Sequence, residues 1–300
     1  MTDESLTPLA LRAFRRALRR AAPALRRDLP WVESGDAWAV FVSEVMLQQT
    51  STSRVIVPWR RFLEEFATPR ACADAPLAAV LLLWQGLGYP RRAKALHEAA
   101  RVMVDKFGGE VPSRVEDLLL LPGVGPYTAH AVATFAFGAR VAVLDTNVGR
   151  VLARALANRP LAPREAQELA TRLLPREDAA AFNQAMLDLG AQWCSATPRC
   201  DGCALRRQCR WRLAGGPDPA PRSAAVSRSQ MTFDGSDRQV RGRILKELAG
   251  SPRERTELHA ALSDVATERV TRLVDHLVRE GLIETTPGRV SLTDDPRAAR

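Results

Sequence analysis

Between residues 9 and 27 apolar positions recur every three or four residues and arginines fill most of the remainder, which predicts an amphipathic helix with a basic outer face. The same period runs from Ala37 to Arg212, broken at short intervals by glycines and by prolines from Pro58 to Pro175. Strictly alternating stretches are scarce there, so this part reads as an all-α unit built from short helices.

Periodicity is lost after residue 213. Residues 214–231 are rich in Gly, Pro and Ser and carry no apolar period, the composition of a linker. Beyond them, helices are predicted around 238–248, 255–262 and 267–280, then Gly281 and two short alternating pieces, 282–284 and 289–292. Three helices closed by a small hairpin describe a winged helix-turn-helix, a pattern that equally suits a helical cap or protein-contact module. The expected organisation is residues 1–212, a linker at 213–232 and a small C-terminal domain at 233–300. No internal repeat is present.

Composition adds a partner class. The chain has 300 residues, 46% of them hydrophobic, enough for more than one folding unit. Its 43 Lys and Arg against 34 Asp and Glu give a net charge of +9, which attracts polyanions, nucleic acid first among them. An inert basic surface would carry the same balance. Lysine is confined to Lys94, Lys106 and Lys246, so nearly all the positive charge is arginine. No apolar run reaches the roughly 20 residues needed to cross a bilayer, and the first residues lack the compact apolar core of a secretory signal. A soluble cytoplasmic protein without a membrane partner is expected.

Four of the five cysteines crowd into Cys194-x5-Cys200-x2-Cys203-x5-Cys209, interleaved with Arg199, Arg206 and Arg207. In a cytosolic protein this spacing signals metal ligation before disulfides, and four thiolates suit either structural zinc or an iron-sulfur cluster. Cys72 stands apart and reads as a small buried hydrophobe.

Pro122-Gly123-Val124-Gly125 lies between an apolar helix end and a new apolar helix. Its glycines permit positive φ and close backbone approach, and the N–H groups opening the next helix can hold a phosphate. With its neighbours, Leu121-Pro122-Gly123-Val124-Gly125 resembles the hairpin of the endonuclease III and adenine glycosylase superfamily. Ser43-Glu44-Val45-Met46-Leu47-Gln48-Gln49-Thr50 and Gly86-Leu87-Gly88-Tyr89 resemble, within it, the A/G-specific adenine DNA glycosylases of the MutY type. The likeness spans residues 29–212. It implies a mainly α helix-hairpin-helix DNA glycosylase fold, two helical subdomains with an iron-sulfur loop at 194–209, beside the winged-helix-like domain.

Hydrolysis of a nucleoside bond needs an acid to make the base a tolerable leaving group and an anion to stabilise the cationic sugar. Glu44 shares a helix face with Val40, Phe41 and Leu47, so its carboxyl should be poorly hydrated and its pKa raised. Asp145 sits between an apolar run and a new helix, where it would cap N–H groups that keep it ionised. The resemblance assigns Glu44 to protonation of the purine N7 and Asp145 to the sugar, with Asn147 orienting the site. It places Tyr127 where related lyases carry a Schiff-base lysine, which implies a monofunctional glycosylase using water.

An enzyme acting on a stacked base must extrude it. By resemblance Gln49 and Tyr89 form the intercalating wedge, Gly123 and Gly125 hold the backbone, and Trp31 and Gln184 line the base pocket; Gln184 reads equally as a solvated helix glutamine. The resemblance also selects a 4Fe-4S cluster over zinc. Double-stranded DNA containing a mismatch is the expected partner, and a monomer the expected state. Four departures stand out: Val32 replaces the usual arginine after Leu29-Pro30-Trp31, Asp145-Thr146-Asn147 stands where the family often has Asp-Gly-Asn, the first cysteine interval is one residue short, and the C-terminal region is too short and helical for a Nudix-like lesion reader.

The leading function is removal of adenine opposite 8-oxoguanine or guanine. A mismatch thymine or uracil glycosylase is the enzymatic alternative, which Tyr127 also permits. A non-catalytic iron-sulfur DNA-binding regulator is the alternative of a different class.

Overall fold

The structure, a computed structural model, describes residues 6–226 and 233–298. Among the described residues, regular structure is helical as far as Gly250, and strands occur only beyond it. The chain divides into two compact units, one of Met1–Leu29 and Pro126–Ser229, the other of Pro30–Gly125 and Gln230–Arg300.

In the first unit, helix Pro8–Leu25 starts at Thr7, whose hydroxyl accepts the Ala10 N–H at 3.2 Å. Leu11, Phe14, Leu18 and Leu25 enter one core with Val148, Leu152, Leu173, Phe182, Met186 and Leu189. Arg12, Arg16, Arg19 and Arg20 occupy the exposed face, as the periodicity predicts. Helix Ala179–Gln192 packs against Pro8–Leu25 and against Thr146–Val151. Gly190 makes the second contact possible, since a Cβ there would lie 2.6 Å from both the Cβ and the carbonyl oxygen of Asn147. Thr146–Val151 continues into a π-helical turn, Leu152–Ala157, closed by Asn158 at φ 52°.

Much of the segment read as a linker is bonded to this unit. Arg154 pairs with Asp218, Leu161 N–H donates to the Ser223 hydroxyl, Ala224 N–H donates to Leu161 C=O, and Thr146 donates to Ala225 C=O. A Gly- and Pro-rich stretch need not be loose when its polar backbone groups find partners on a neighbouring surface. Residues 227–232 lie outside the described residues.

The second unit is centred on helix Ala37–Leu47, in which every residue from Trp38 to Met46 is buried. A helix apolar all round becomes an interior element. Asp36 caps its start through the N–H groups of Trp38 and Ala39. Trp38 Nε1 donates to Phe66 C=O and Trp59 Nε1 to Ala39 C=O, so each buried indole is satisfied. Helix Arg91–Phe107 packs on Ala37–Leu47, Pro69–Asp74 and Leu77–Leu83.

The C-terminal residues of this unit form helices Asp237–Gly250, Arg255–Ala261 and Thr267–Arg279, with strands β1 (Arg253–Glu254), β2 (Ile283–Thr286) and β3 (Arg289–Leu292) in the antiparallel order β1-β3-β2. The winged-helix pattern is present, with β1 as an addition too short to show as alternation. Glu280 joins this part to helix Arg91–Phe107: its carboxylate accepts from Arg91 and Arg241, and its carbonyl accepts from Lys94 Nζ at 2.8 Å. Burial pushes the Glu280 carboxyl up, yet its two arginine partners hold it down at about 2.

Candidate active site

In the second unit, Glu44 lies near the C-terminal end of helix Ala37–Leu47 and is only 4% exposed. The carbonyls that follow it belong to a single guanidinium. Arg92 Nη1 donates to Val45 C=O (3.0 Å) and Met46 C=O (2.7 Å), while Nη2 donates to Thr50 Oγ1 (3.0 Å), Leu87 C=O (3.1 Å) and Gly88 C=O (3.0 Å). One buried side chain thus ties the Glu44 helix, the Gln48-Gln49-Thr50 turn and the Gly86–Tyr89 turn together. Burial draws the Arg92 pKa down to about 10, with the neighbouring Tyr89 acting the other way, so the group is still a cation at neutral pH.

Gln49 and Tyr89 share an uncommon backbone state, with φ of 59° and 48°. Side-chain-bearing residues seldom occupy this left-handed region, and when they do the surroundings over-determine them. Gln49 is exposed and Tyr89 half-buried. Gln48 Nε2 donates to Gly123 C=O at 3.3 Å, linking this surface to the glycine turn. Only the first glycine of that turn needs its freedom: Gly123 has φ 75°, and a Cβ there would meet Ala95 Cβ at 2.6 Å. Gly125 has no positive φ and no neighbour its Cβ would meet, contrary to the expectation for both glycines. Trp31 is buried edge-on against Trp59, their centroids 5.8 Å apart, and Val32 is 39% exposed.

In the first unit, Tyr127 is the second residue of helix Pro126–Phe137 and half-buried. Asp145 caps helix Thr146–Val151: Oδ1 accepts the Val148 N–H at 2.7 Å and Oδ2 accepts Asn147 Nδ2 at 2.6 Å. Asn147 Oδ1 in turn accepts Arg150 Nη2 at 2.6 Å, and Arg150 also donates to Gly190 C=O and, through Nε, to Cys194 C=O at 2.7 Å. Burial pushes the Asp145 carboxyl up, and it outweighs the Val148 and Asn147 donors and the Arg150 charge, so the net direction is upward from the ordinary aspartate value. The capping expectation holds, but the donors restrain a raised pKa instead of lowering it. Gln184 Nε2 donates to Asp188 Oδ1 at 2.9 Å, and Asp188 forms an ion pair with Arg27 at 2.6 Å.

Cys194, Cys200, Cys203 and Cys209 line one pocket with Val151, Leu189, Leu205, Trp211 and Arg154. Arg154 is 1% exposed, and its Nη1 lies 3.4 Å from Cys194 Sγ. Among the described residues no three His, Cys, Asp or Glu side chains converge closely enough to hold a single metal ion. Four soft sulfur donors spread around a common apolar void, one of them beside a buried cation, fit a group with several metal corners. Arg199, Arg206, Arg207 and Arg212 lie exposed on the same loop or beside it.

Arg92 therefore ties together the segments that carry Glu44, Gln49 and Tyr89, Gln48 bonds Gly123, and Arg150 links Asn147, and through it Asp145, to Cys194. Arg92 and Arg150 both escaped sequence reasoning. Their signal was slight: each is an arginine on the core-facing side of a helix, at a position where the period calls for an apolar residue.

Residues 42–176 match the model of the HhH-GPD superfamily base excision DNA repair protein. The adenine DNA glycosylase of Mycolicibacterium smegmatis is 45% identical over 284 residues, spanning 92% of this chain and 94% of its own. Among solved structures, a thermostable thymine-DNA glycosylase aligns with a TM-score of 0.64 and 27% identity, over 69% of this chain and 98% of that one. A non-covalent endonuclease III–DNA complex aligns at 0.62 and 26%, over 70% and 98%. No helix among the described residues is long and apolar enough to cross a membrane.

Proposed function

The chain belongs to the adenine DNA glycosylase family of the HhH-GPD superfamily, and on that premise we propose that it hydrolyses the N-glycosidic bond of adenine mispaired with 8-oxoguanine or guanine in double-stranded DNA. The observation that carries the chemistry is the contrast between two carboxyls. Glu44 lies inside an apolar helix, withdrawn from water as a proton-donating acid requires. Asp145 is raised by burial too, but it accepts from Val148 N–H and Asn147 Nδ2, and the Arg150 cation lies beyond Asn147; these oppose the rise, as an anion facing a cationic sugar requires.

In this reading Glu44 gives its proton to adenine N7 as the C–N bond breaks and the bonding pair leaves with the base. Asp145 stabilises the oxocarbenium ion left at the sugar, Asn147 holds the Asp145 carboxylate in place, and water adds to the sugar with loss of a proton. The products are free adenine and an abasic site. Tyr127 offers no amine, so no Schiff base forms and the strand stays intact. Gln49 and Tyr89 enter the duplex as the wedge, the first N–H groups of helix Pro126–Phe137 meet a phosphate, and Gln184 and Trp31 border the extruded base.

The four cysteines would hold a 4Fe-4S cluster, which when bound fixes the arginine-bearing loop for contact with DNA phosphates and takes no part in base release. Arg150 supports this structural role, since it bonds both Cys194 C=O and Asn147. The 45% identity to an adenine DNA glycosylase, against 27% to the thymine-DNA glycosylase, favours adenine over thymine.

Excision from duplexes carrying A:8-oxoguanine, A:G, T:G and U:G, with alkali added afterwards, tests the substrate. Cleavage of the two adenine duplexes, dependent on alkali, is expected; preferential loss of thymine or uracil, or strand scission without alkali, contradicts the proposal. Metal analysis of the purified protein should return about four irons per chain, whereas one zinc per chain would reject the cluster.

The pH dependence carries a sign. Asp145 acts ionised and its pKa lies above the usual aspartate value, so excision is lost as pH falls through that raised value. Asn147→Ala removes a donor to the carboxylate, pushing the pKa higher and moving the acidic limb of the single-turnover profile toward neutrality. An unmoved limb would show that Asp145 does not control it.

A further inference from the structure

Tyr89 is held by separate donors at its ring, its hydroxyl and its backbone. Arg92 donates to the carbonyls of Leu87 and Gly88 just before it. From helix Asp237–Gly250, Arg238 Nη1 donates to the Tyr89 hydroxyl at 2.7 Å. The Arg92 and Arg238 guanidinium carbons lie 5.6 and 5.9 Å from the centre of the Tyr89 ring, within cation–π range.

Arg238 is itself fixed. One turn along the same helix face, Arg241 pairs with Glu280, which also pairs with Arg91, two residues beyond Tyr89. Lys94 donates to the Glu280 carbonyl. Ser236 caps the start of the helix by accepting the Gln239 N–H, and the adjacent Asp237 takes Arg269 and Arg272. Two arginines of helix Thr267–Arg279, Arg269 and Arg272, are thus turned toward the start of helix Asp237–Gly250, and Asp275 pairs with Arg255.

We propose that the C-terminal domain sets the pose of the Tyr89 wedge, with Arg238 as a positioning residue for base extrusion. This rests on the reading of Tyr89 as a wedge. A side chain whose rotamer and backbone are fixed before it meets the duplex loses less freedom on insertion, so the bond from Arg238 favours the extruded state without touching the reacting atoms.

The test uses the full-length protein and an A:8-oxoguanine duplex with 2-aminopurine beside the target adenine, whose fluorescence reports unstacking, together with single-turnover excision at saturating enzyme. Arg238→Ala and Tyr89→Phe remove the same bond from opposite ends. Each should lower the unstacking signal and the excision rate by about three- to ten-fold. The double variant should be no worse than either single one, and Arg238→Lys should recover most of the loss. Tyr89→Phe deletes one oxygen only, so the proposal stays testable even if Arg238→Ala folds poorly. Multiplying effects in the double variant, or unchanged unstacking in Arg238→Ala, would overturn it. Normal unstacking and excision in Tyr89→Ala would instead remove the wedge reading on which it stands.

Discussion

A guanidinium taken out of water is tolerable only where its fork of N–H groups finds oxygens, and this fold turns that constraint into its means of construction. Arg92 bonds five oxygens from three chain segments. Arg150 joins the Asp145 network to the cysteine loop, and the Arg154 guanidinium, on the π-helical turn, reaches Asp218, Cys194, Ser195 and Ala196. A lysine offers three donors on a flexible stem and cannot bridge in the same way. With only three lysines in the chain, arginine serves both as internal cross-link and as surface charge.

These cross-links bear directly on the chemistry. A carboxyl acts as an acid or as a stabilising anion according to its surroundings, and those surroundings survive only if the local backbone is held. Glu44 belongs to a helix whose last carbonyls are bound by Arg92, so its apolar setting and the strained turns at Gln49 and Tyr89 share one anchor. Asp145 is raised by burial and restrained by Val148 and Asn147, and Asn147 is steadied by Arg150. The close approach at Gly190 sets where Asn147 can sit. Packing, hydrogen bonding and the electrostatics of each carboxyl are thus consequences of the same few contacts.

Much of this could be read from residues alone where the cause is local. The helical period located Pro8–Leu25 and the three C-terminal helices, and the polar residue between an apolar run and a new helix marked Asp145 as a cap. Gly123 was visible as a position needing positive φ, because hairpin geometry is local; Gly125 shows that a second glycine in such a motif need not share the reason. What stayed hidden is tertiary. Arg92, Arg150 and Arg238 look like solvated charges until the oxygens they meet, some from residues far along the sequence, are in place. The stretch at 214–226 looks like a linker because nothing in its composition reveals partners at Thr146, Arg154 and Leu161. Strand β1, two residues long, leaves no periodic trace.

The account stands on proton delivery from Glu44 to the ring nitrogen of the departing base. Its most direct test is single-turnover excision from a duplex in which the target adenine is replaced by 7-deazaadenine, which keeps the shape of the base but has carbon at the protonated position. The account predicts that the enzyme binds this duplex with near-normal affinity and releases no base. Release at a rate close to that of adenine would contradict it.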